Sequence, residues 1–140
     1  MGSGPQDAEA KAYVDNFSLQ EVIFLGQLTY ESMRDTFLGV NVFILPTFQD
    51  LYSLVVLEAM ACGCPVLTTP YNGASELIVP GETGWLFDVA DDQSLENAIK
   101  LTIQNKEVLE GMGAKARQRV LEMDNSIVMS KWADTMRCFL

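Results

Sequence analysis

A chain of 140 residues in which 49% are hydrophobic carries enough apolar surface for one globular domain over residues 1–140. Its formal net charge of −10, with no cluster of Lys or Arg, argues against a nucleic-acid-binding surface. Three cysteines and no histidine provide neither a disulfide framework nor a zinc site. The sequence has no apolar run long enough to cross a bilayer and no signal-peptide pattern at its start. We therefore expect a cytoplasmic protein with reduced thiols.

The first part of the chain predicts one strand and one complete helix. Residues 1–16 are either a leader or the remains of a helix over Ala8–Asp15. Glu21–Gly26 is apolar and ends in glycine, which favours a strand. Thr29 then stands at the N-cap position of a helix predicted over Tyr30–Leu38.

The stretch from Asn41 to Thr69 predicts a βαβ unit, around which the other elements are placed. Val42–Pro46 and Val66–Thr69 are apolar without alternation, as in parallel strands covered on both faces. Between them, a helix is predicted over Leu54–Cys62, with Ser53 as its cap and Gly63 just past its end.

The remaining elements alternate in the same way. Four helices and one strand are predicted, in chain order, over Ala74–Val79 (helix), Trp85–Phe87 (strand), Gln93–Gln104, Lys106–Met123 and Ser126–Phe139 (helices). The pattern predicts an α/β fold of three layers with a Rossmann-like parallel sheet. Its four strands are Glu21–Gly26, Val42–Pro46, Val66–Thr69 and Trp85–Phe87.

The turn Thr47–Ser53 is the candidate binding site. It follows a parallel strand at the carboxyl end, where ligands of open α/β sheets bind, and the next helix presents unpaired amides that suit phosphate. Glu58 is a carboxylate in an otherwise apolar helix, so it either faces this crevice with Asp50 or lies on an exposed stripe. Asp50 has its own alternative, which is local hydrogen bonding within the turn.

The segment DLYSLVVLEAMACGCPVLTTPYNGASELIVPGETGWLF resembles the carboxyl-terminal domain of the group 1, retaining, GT-B-fold glycosyltransferases. That family has Glu, seven residues and Glu, followed by Ala-Met-Ala and Gly-x-Pro-Val. The resemblance runs from about Val22 to the end of the chain. This chain departs from the pattern at three positions: Asp50 replaces the first Glu, Tyr52 a Phe, and Ser53 a Gly.

The resemblance implies that the chain is the second domain of a GT-B fold without its first βα units. Its substrate would be a nucleotide-diphosphate sugar, with no metal or other cofactor. Asp50 and Glu58 would be the catalytic acids, the first near the sugar hydroxyls and the second at the ribose. Tyr52 would line the donor site, and the backbone amides of Ser53, Leu54 and Val55 would hold the diphosphate.

The resemblance also implies partners. The family's cationic phosphate ligands and its amino-terminal domain lie outside this sequence, so the chain alone is expected to be inactive, and the whole enzyme would meet a membrane only peripherally. The acceptor would be a glycan, a lipid or a small molecule. In the family's strand order, 3-2-1-4-5-6, Glu21–Gly26 lies two strands from Val42–Pro46. The alternative function is therefore a noncatalytic α/β module that forms a homodimer through an exposed sheet edge.

Overall fold

The computed structural model describes Gly2 and residues 4–123. These residues form two compact units, one over residues 1–35 and one from residue 36 onward. The helix predicted over Ser126–Phe139 lies outside the described residues, and the single domain over 1–140 stays a prediction. Within the described part of the chain, no helix combines the length and the apolar character needed to cross a membrane.

The first unit contains helix α1, Asp7–Asn16, and an extended segment. The backbone N–H of Gly4 donates to Asp7 Oδ1 at 3.1 Å, just before the helix, and Asp7 and Glu9 place negative charge in the first turn. No residue of α1 is buried. The helix is therefore held by local interactions rather than by a core.

The strand predicted over Glu21–Gly26 is wrong. Residues 22–26 belong to no strand and pair with no ladder. A strand is stable only when a neighbour satisfies its backbone groups, and residues 1–35 include no other strand among those described. The apolar run in the sequence is real, but its side chains are exposed, with Ile23 77% accessible.

The second unit is built on a parallel sheet of three strands in the order β1-β2-β3. They are β1, Phe43–Leu45; β2, Val66–Thr68; and β3, Gly84–Leu86. Each lies within one residue of a predicted strand, and β2, buried along its whole length, is central. A Cβ at Gly84 would lie 1.9 Å from the Val66 carbonyl oxygen, so β3 can pair with β2 only because that residue is glycine.

Among the described residues, three helices of this unit follow its strands. They are α3, Leu54–Ala61; α4, Asp92–Gln104; and α5, Leu109–Leu121. Helix α2, Tyr30–Gly39, begins in the first unit and ends in the second. Thr29 Oγ1 accepts from the Ser32 N–H at 3.2 Å, which confirms the predicted cap of α2. Two predicted helices are partly wrong, because Gly73–Leu77 and Lys106–Val108 are 3₁₀ turns and α5 begins only at Leu109.

The core lies between the sheet and the last two helices. Its members are Leu67 of β2, Trp85 of β3, Phe87 just after β3, Ala98 of α4, and Leu109 and Met112 of α5. Helices α3 and α5 meet closely where a Cβ at Gly113 would lie 1.9 Å from the Gly63 carbonyl oxygen. The predicted α/β fold with a Rossmann-like parallel sheet is confirmed.

Candidate functional site

The candidate site lies at the carboxyl ends of β1 and β2, where two loops are joined by main-chain hydrogen bonds. The Asp50 N–H donates to the Tyr71 carbonyl at 3.1 Å, and the Gly73 N–H donates to the Leu51 carbonyl at 3.2 Å. Asp50 and Asn72 are paired as an isolated parallel bridge. The two loops therefore form one platform rather than two independent connections.

Buried hydroxyl groups reinforce this platform from β2. Thr68 Oγ1 donates to the Leu45 carbonyl at 3.1 Å, and Thr69 Oγ1 donates to the Thr47 carbonyl at 2.6 Å. Both threonines are fully buried. Each bond joins the carboxyl end of β2 to the carboxyl end of β1, so the start of the candidate turn is held against β2.

Asn72 completes the polar network, and the sequence did not single it out. Its Nδ2 donates to Thr68 Oγ1 at 3.1 Å and to the Thr69 carbonyl at 3.0 Å. Because a carbonyl can only accept, this contact fixes the orientation of the amide. Oδ1 is then a buried acceptor with no partner among the described residues. An asparagine in a turn gives no signal in the sequence that separates this role from an ordinary turn preference.

Asp50 is exposed, and its carboxylate bonds within its own turn. Oδ1 accepts from the Tyr52 N–H at 3.2 Å, and Oδ2 accepts from the Ser53 hydroxyl. The local hydrogen bonding that the sequence left open therefore occurs. Each oxygen retains a lone pair, so these bonds do not prevent contact with a ligand.

Ser53 is the N-cap residue of α3, as predicted, but its side chain makes no capping hydrogen bond. Its hydroxyl donates to Asp50 instead. Leu54 and Val55 are the first two residues of the helix, and their amides donate to no other residue in the described chain. The helix mouth therefore presents two free N–H groups beside the positive end of the helix dipole.

Glu58 lies in the second turn of α3 and is half-buried. Its side chain makes no hydrogen bond or ion pair with any residue that the structure describes. The carboxylate is therefore available to accept hydrogen bonds from a ligand. A role toward a donor and a shared crevice with Asp50 stay predictions.

Tyr52 is half-buried against the second loop. A Cβ at Gly73 would lie 2.8 Å from Tyr52 Cδ2, so the ring lies directly on that glycine. The hydroxyl is 4.0 Å from Met123 Sδ. Burial, and next the negative charge of Glu76, raises the pKa of Tyr52, which therefore remains a neutral phenol. Glu76 was noted in the sequence only as part of a motif.

The structure thus gathers Asp50, Tyr52 and Ser53 into one turn and sets Leu54 and Val55 on the first turn of the next helix. In the described residues, no group of three or more His, Cys, Asp or Glu side chains could hold a metal ion. The arrangement can offer backbone amides to an anion and a carboxylate to a hydroxyl group.

The comparison with protein families decides the affiliation. Residues 1–119 match the family described as glycosyl transferases group 1. The chain belongs to the group 1 glycosyl transferases. Membership covers most of the chain and includes the turn and helix described above. The free amides at Leu54 and Val55 and the acids Asp50 and Glu58 all lie within the matched residues.

Three proteins illustrate the similarity. N-acetyl-alpha-D-glucosaminyl L-malate synthase of Bacillus anthracis is 30% identical over 127 residues, which are 90% of this chain and 33% of that protein. Sucrose-phosphate synthase of Thermosynechococcus elongatus has a TM-score of 0.79 and 30% identity, over 99% of this chain and 37% of that chain. Alr3699/HepE of Anabaena, solved in complex with UDP, has a TM-score of 0.75 and 23% identity, over 94% of this chain and 36% of that chain.

The similarity covers only part of each relative. The chain spans about a third of the length of the relatives it matches. The likeness to the UDP complex concerns the fold, since identity there is 23%.

Proposed function

We propose that this chain is the donor-binding part of a retaining glycosyltransferase and that its ligand is a nucleotide-diphosphate sugar. The observation that carries the proposal is the pair of free amides at the mouth of α3, located at the carboxyl end of a parallel sheet. The likeness in fold to a protein solved with UDP supports it. In the whole enzyme, the sugar would be transferred to a glycan, a lipid or a small molecule.

The diphosphate binds at the helix mouth. The amides of Ser53, Leu54 and Val55 would hold it at the N-terminus of α3, where anions are favoured by both hydrogen bonding and the helix dipole. Phosphate oxygens accept such charge-assisted bonds strongly. No metal or other cofactor is required in this proposal, because amides and cationic side chains can neutralise the charge.

The acids contact hydroxyl groups. Glu58, which has no partner in the described chain, accepts from the ribose hydroxyls, and Asp50, exposed at the turn, accepts from the sugar. Tyr52 packs on Gly73 and forms the wall of the site between them. A carboxylate beside a sugar also stabilises the positive charge that develops at the anomeric carbon during transfer.

The basic side chains that neutralise the diphosphate come from elsewhere in the enzyme. The chain has a formal charge of −10, and Lys11 and Arg34 are the only basic residues before Lys100. A diphosphate brought to this surface meets unfavourable long-range charge. An amino-terminal domain would therefore supply basic side chains and the acceptor site, and the chain alone would bind donor weakly without catalysis. Free Cys62 and Cys64 suit a cytoplasmic enzyme.

Removing a single amide tests the proposal directly. Proline is well tolerated at the first position of a helix, and the extended backbone of Ser53 (φ −72°, ψ 94°) suits a residue that precedes proline. Leu54→Pro therefore deletes one N–H while keeping the helix. Leu54→Ala is the matched control, since it keeps the N–H and removes the same exposed side chain.

Calorimetric titration with UDP, repeated with GDP, gives the readout. We expect weak, saturable binding by the native chain and by Leu54→Ala, and about tenfold weaker binding by Leu54→Pro, which corresponds to about 1.4 kcal/mol for one lost hydrogen bond to a charged group. Circular dichroism checks that all three remain folded. Equal affinities for the two variants, or no binding by the native chain, would contradict the proposal.

A second candidate is the noncatalytic module that self-associates. The observation that favours it is the edge of the sheet: among the strands that the structure describes, β1 pairs only with β2, and Ile44 of β1 is exposed. The extended segment 22–25 also exposes four large apolar side chains outside any strand, those of Val22, Ile23, Phe24 and Leu25. Unpaired apolar edges template association.

Light scattering across a concentration series tests this candidate. If the chain forms a homodimer, the measured mass should double as the protein concentration rises. Ile44→Lys should raise the concentration at which half of the chains are dimeric, because a charge on the edge strand opposes pairing. Ile103→Lys, at an exposed position on α4, is the control. A constant monomer mass at high concentration would exclude the dimer.

A further inference from the structure

The hydroxyl of Ser53 is used in an unusual way for an N-cap. A serine at this position normally accepts a hydrogen bond from an amide two or three residues later, which closes the helix mouth. Here the side chain is 2% exposed and makes no such bond. It donates to Asp50 Oδ2 instead. The cap that would block the first amides is therefore absent because the hydroxyl is engaged elsewhere.

The carboxylate that receives this bond is itself a strong competitor for the helix mouth. Asp50 lies three residues before the cap, and carboxylates are favoured ligands of free amides at helix N-termini. It is held by two contacts, the Tyr52 N–H at 3.2 Å and the Ser53 hydroxyl. Without the second contact, Oδ2 is an acceptor with no partner in the described chain, and the unpaired amides of Leu54 and Val55 are donors only four and five residues away in sequence.

We infer that Ser53 is a positioning residue that retains the Asp50 carboxylate within the turn and thereby keeps the first amides of α3 available to the donor diphosphate. This inference rests on the proposed function. Its physical basis is competition between two anions for the same N–H groups, one from the ligand and one from the protein. The competition is unequal, because a tethered carboxylate has a high local concentration.

A double-mutant cycle on Ser53 and Asp50 isolates the coupling. UDP is the probe, because it carries the diphosphate without a transferred sugar, and inorganic pyrophosphate is the probe without a base. Ser53→Ala should weaken UDP binding about tenfold when Asp50 is present. In the Asp50→Ala background, the same change should alter binding less than twofold, since no carboxylate remains to occupy the amides. A loss of equal size in both backgrounds, or no loss in either, overturns the inference.

Amide hydrogen exchange tests the same step without any ligand. In Ser53→Ala, the released carboxylate should cap the helix, so the amides of Leu54 and Val55 should exchange more slowly than in the native chain. Adding Asp50→Ala should abolish this protection. A purely structural role for Ser53 predicts the opposite, namely faster exchange that does not depend on Asp50.

The two measurements separate the inference from the proposed function. If the native chain binds neither UDP nor pyrophosphate, the proposed function fails, while the exchange rates still decide whether Ser53 controls the carboxylate. If UDP binds but the exchange rates of Leu54 and Val55 are unchanged in Ser53→Ala, the donor site stands and the role of Ser53 is rejected.

Discussion

The ring of Tyr52 lies on the α-carbon of Gly73, so closely that a Cβ at that glycine would be 2.8 Å from Tyr52 Cδ2 and 2.5 Å from the Leu51 carbonyl oxygen. The contact joins the side chain of one loop to the backbone of the other. The Gly73 N–H also donates to the Leu51 carbonyl, so the second loop is held against the first by both a ring contact and a main-chain hydrogen bond.

Gly73→Ala should therefore disturb the site as well as the fold. Overpacking of this kind costs about 1–3 kcal/mol, and relief requires the turn around Leu51 to shift. We expect a lower melting temperature and weaker UDP binding in the same variant. Tyr52→Ala combined with Gly73→Ala should recover little stability, since the Leu51 carbonyl still blocks the methyl group. If the double variant regained the full stability of the native protein, the Tyr52 ring alone would be what excludes a side chain at position 73.

Two glycines of α5 provide a matched pair for the packing of α3 against α5. Gly111 has open space where a Cβ would stand, whereas a Cβ at Gly113 would lie 1.9 Å from the Gly63 carbonyl oxygen. Gly111→Ala should stabilise the protein by about 0.5–1 kcal/mol through helix propensity. Gly113→Ala should destabilise it by about 1–3 kcal/mol despite the same propensity gain. Urea unfolding of both variants measures the difference, and equal shifts would refute the close approach.

Glu58→Ala should separate ligand binding from stability. The carboxylate is half-buried and has no partner in the described residues, so its removal breaks no internal bond and should leave the melting temperature nearly intact. Transfer by the whole enzyme should fall by orders of magnitude. Glu110→Ala, an exposed acid on α5, is the control.

A stabilised Glu58→Ala enzyme with unchanged activity would show that Glu58 has no role toward the donor. Stabilisation by itself is compatible with the assignment, because functional acids in apolar surroundings are often costly to the fold.

The thiols of Cys62 and Cys64 should differ in reactivity. Burial, and next the nearby Cys62, raises the pKa of Cys64 to about 12, well above the ordinary value of 9.0 for a cysteine thiol. The folded state therefore retains the Cys64 proton longer than the unfolded state does, and stability should fall as the pH rises from 9 toward 12. Cys64→Ala should flatten this decline.

Alkylation of the native protein measures the same difference. In a Cys138→Ser background, iodoacetamide at pH 8 should modify the half-buried Cys62 well before Cys64. Equal rates for both thiols would mean that Cys64 is not shielded.

The sequence predicted the strands of the second unit and the helix of the first, whereas the strand predicted in the first unit is wrong. Strands β1 to β3 match their predicted positions because continuous apolar runs between helical stripes are typical of buried parallel strands. The same apolar pattern led to the wrong strand prediction at Glu21–Gly26, because an apolar segment forms a strand only where a neighbouring strand pairs with it. The 3₁₀ turn at Gly73–Leu77 was taken as a helix because five residues show no period that separates the two.

Within the candidate site, position was predictable and bonding was not. Spacing from the strand placed Asp50, Ser53 and the helix mouth correctly. Neither the direction of the Ser53 hydroxyl nor the network of Asn72 with Thr68 has a signature in the sequence, because both depend on residues that meet only in the folded chain.

The bonds that join the two loops are main-chain bonds, from the Asp50 N–H to Tyr71 and from the Gly73 N–H to Leu51. Such bonds do not depend on which side chain stands at position 50 or 51, with proline at 50 as the exception because it has no N–H. The turn can therefore exchange its side chains during evolution and keep its shape. A substitution at position 50 thus changes the polar groups that the turn presents, while the two loops stay joined.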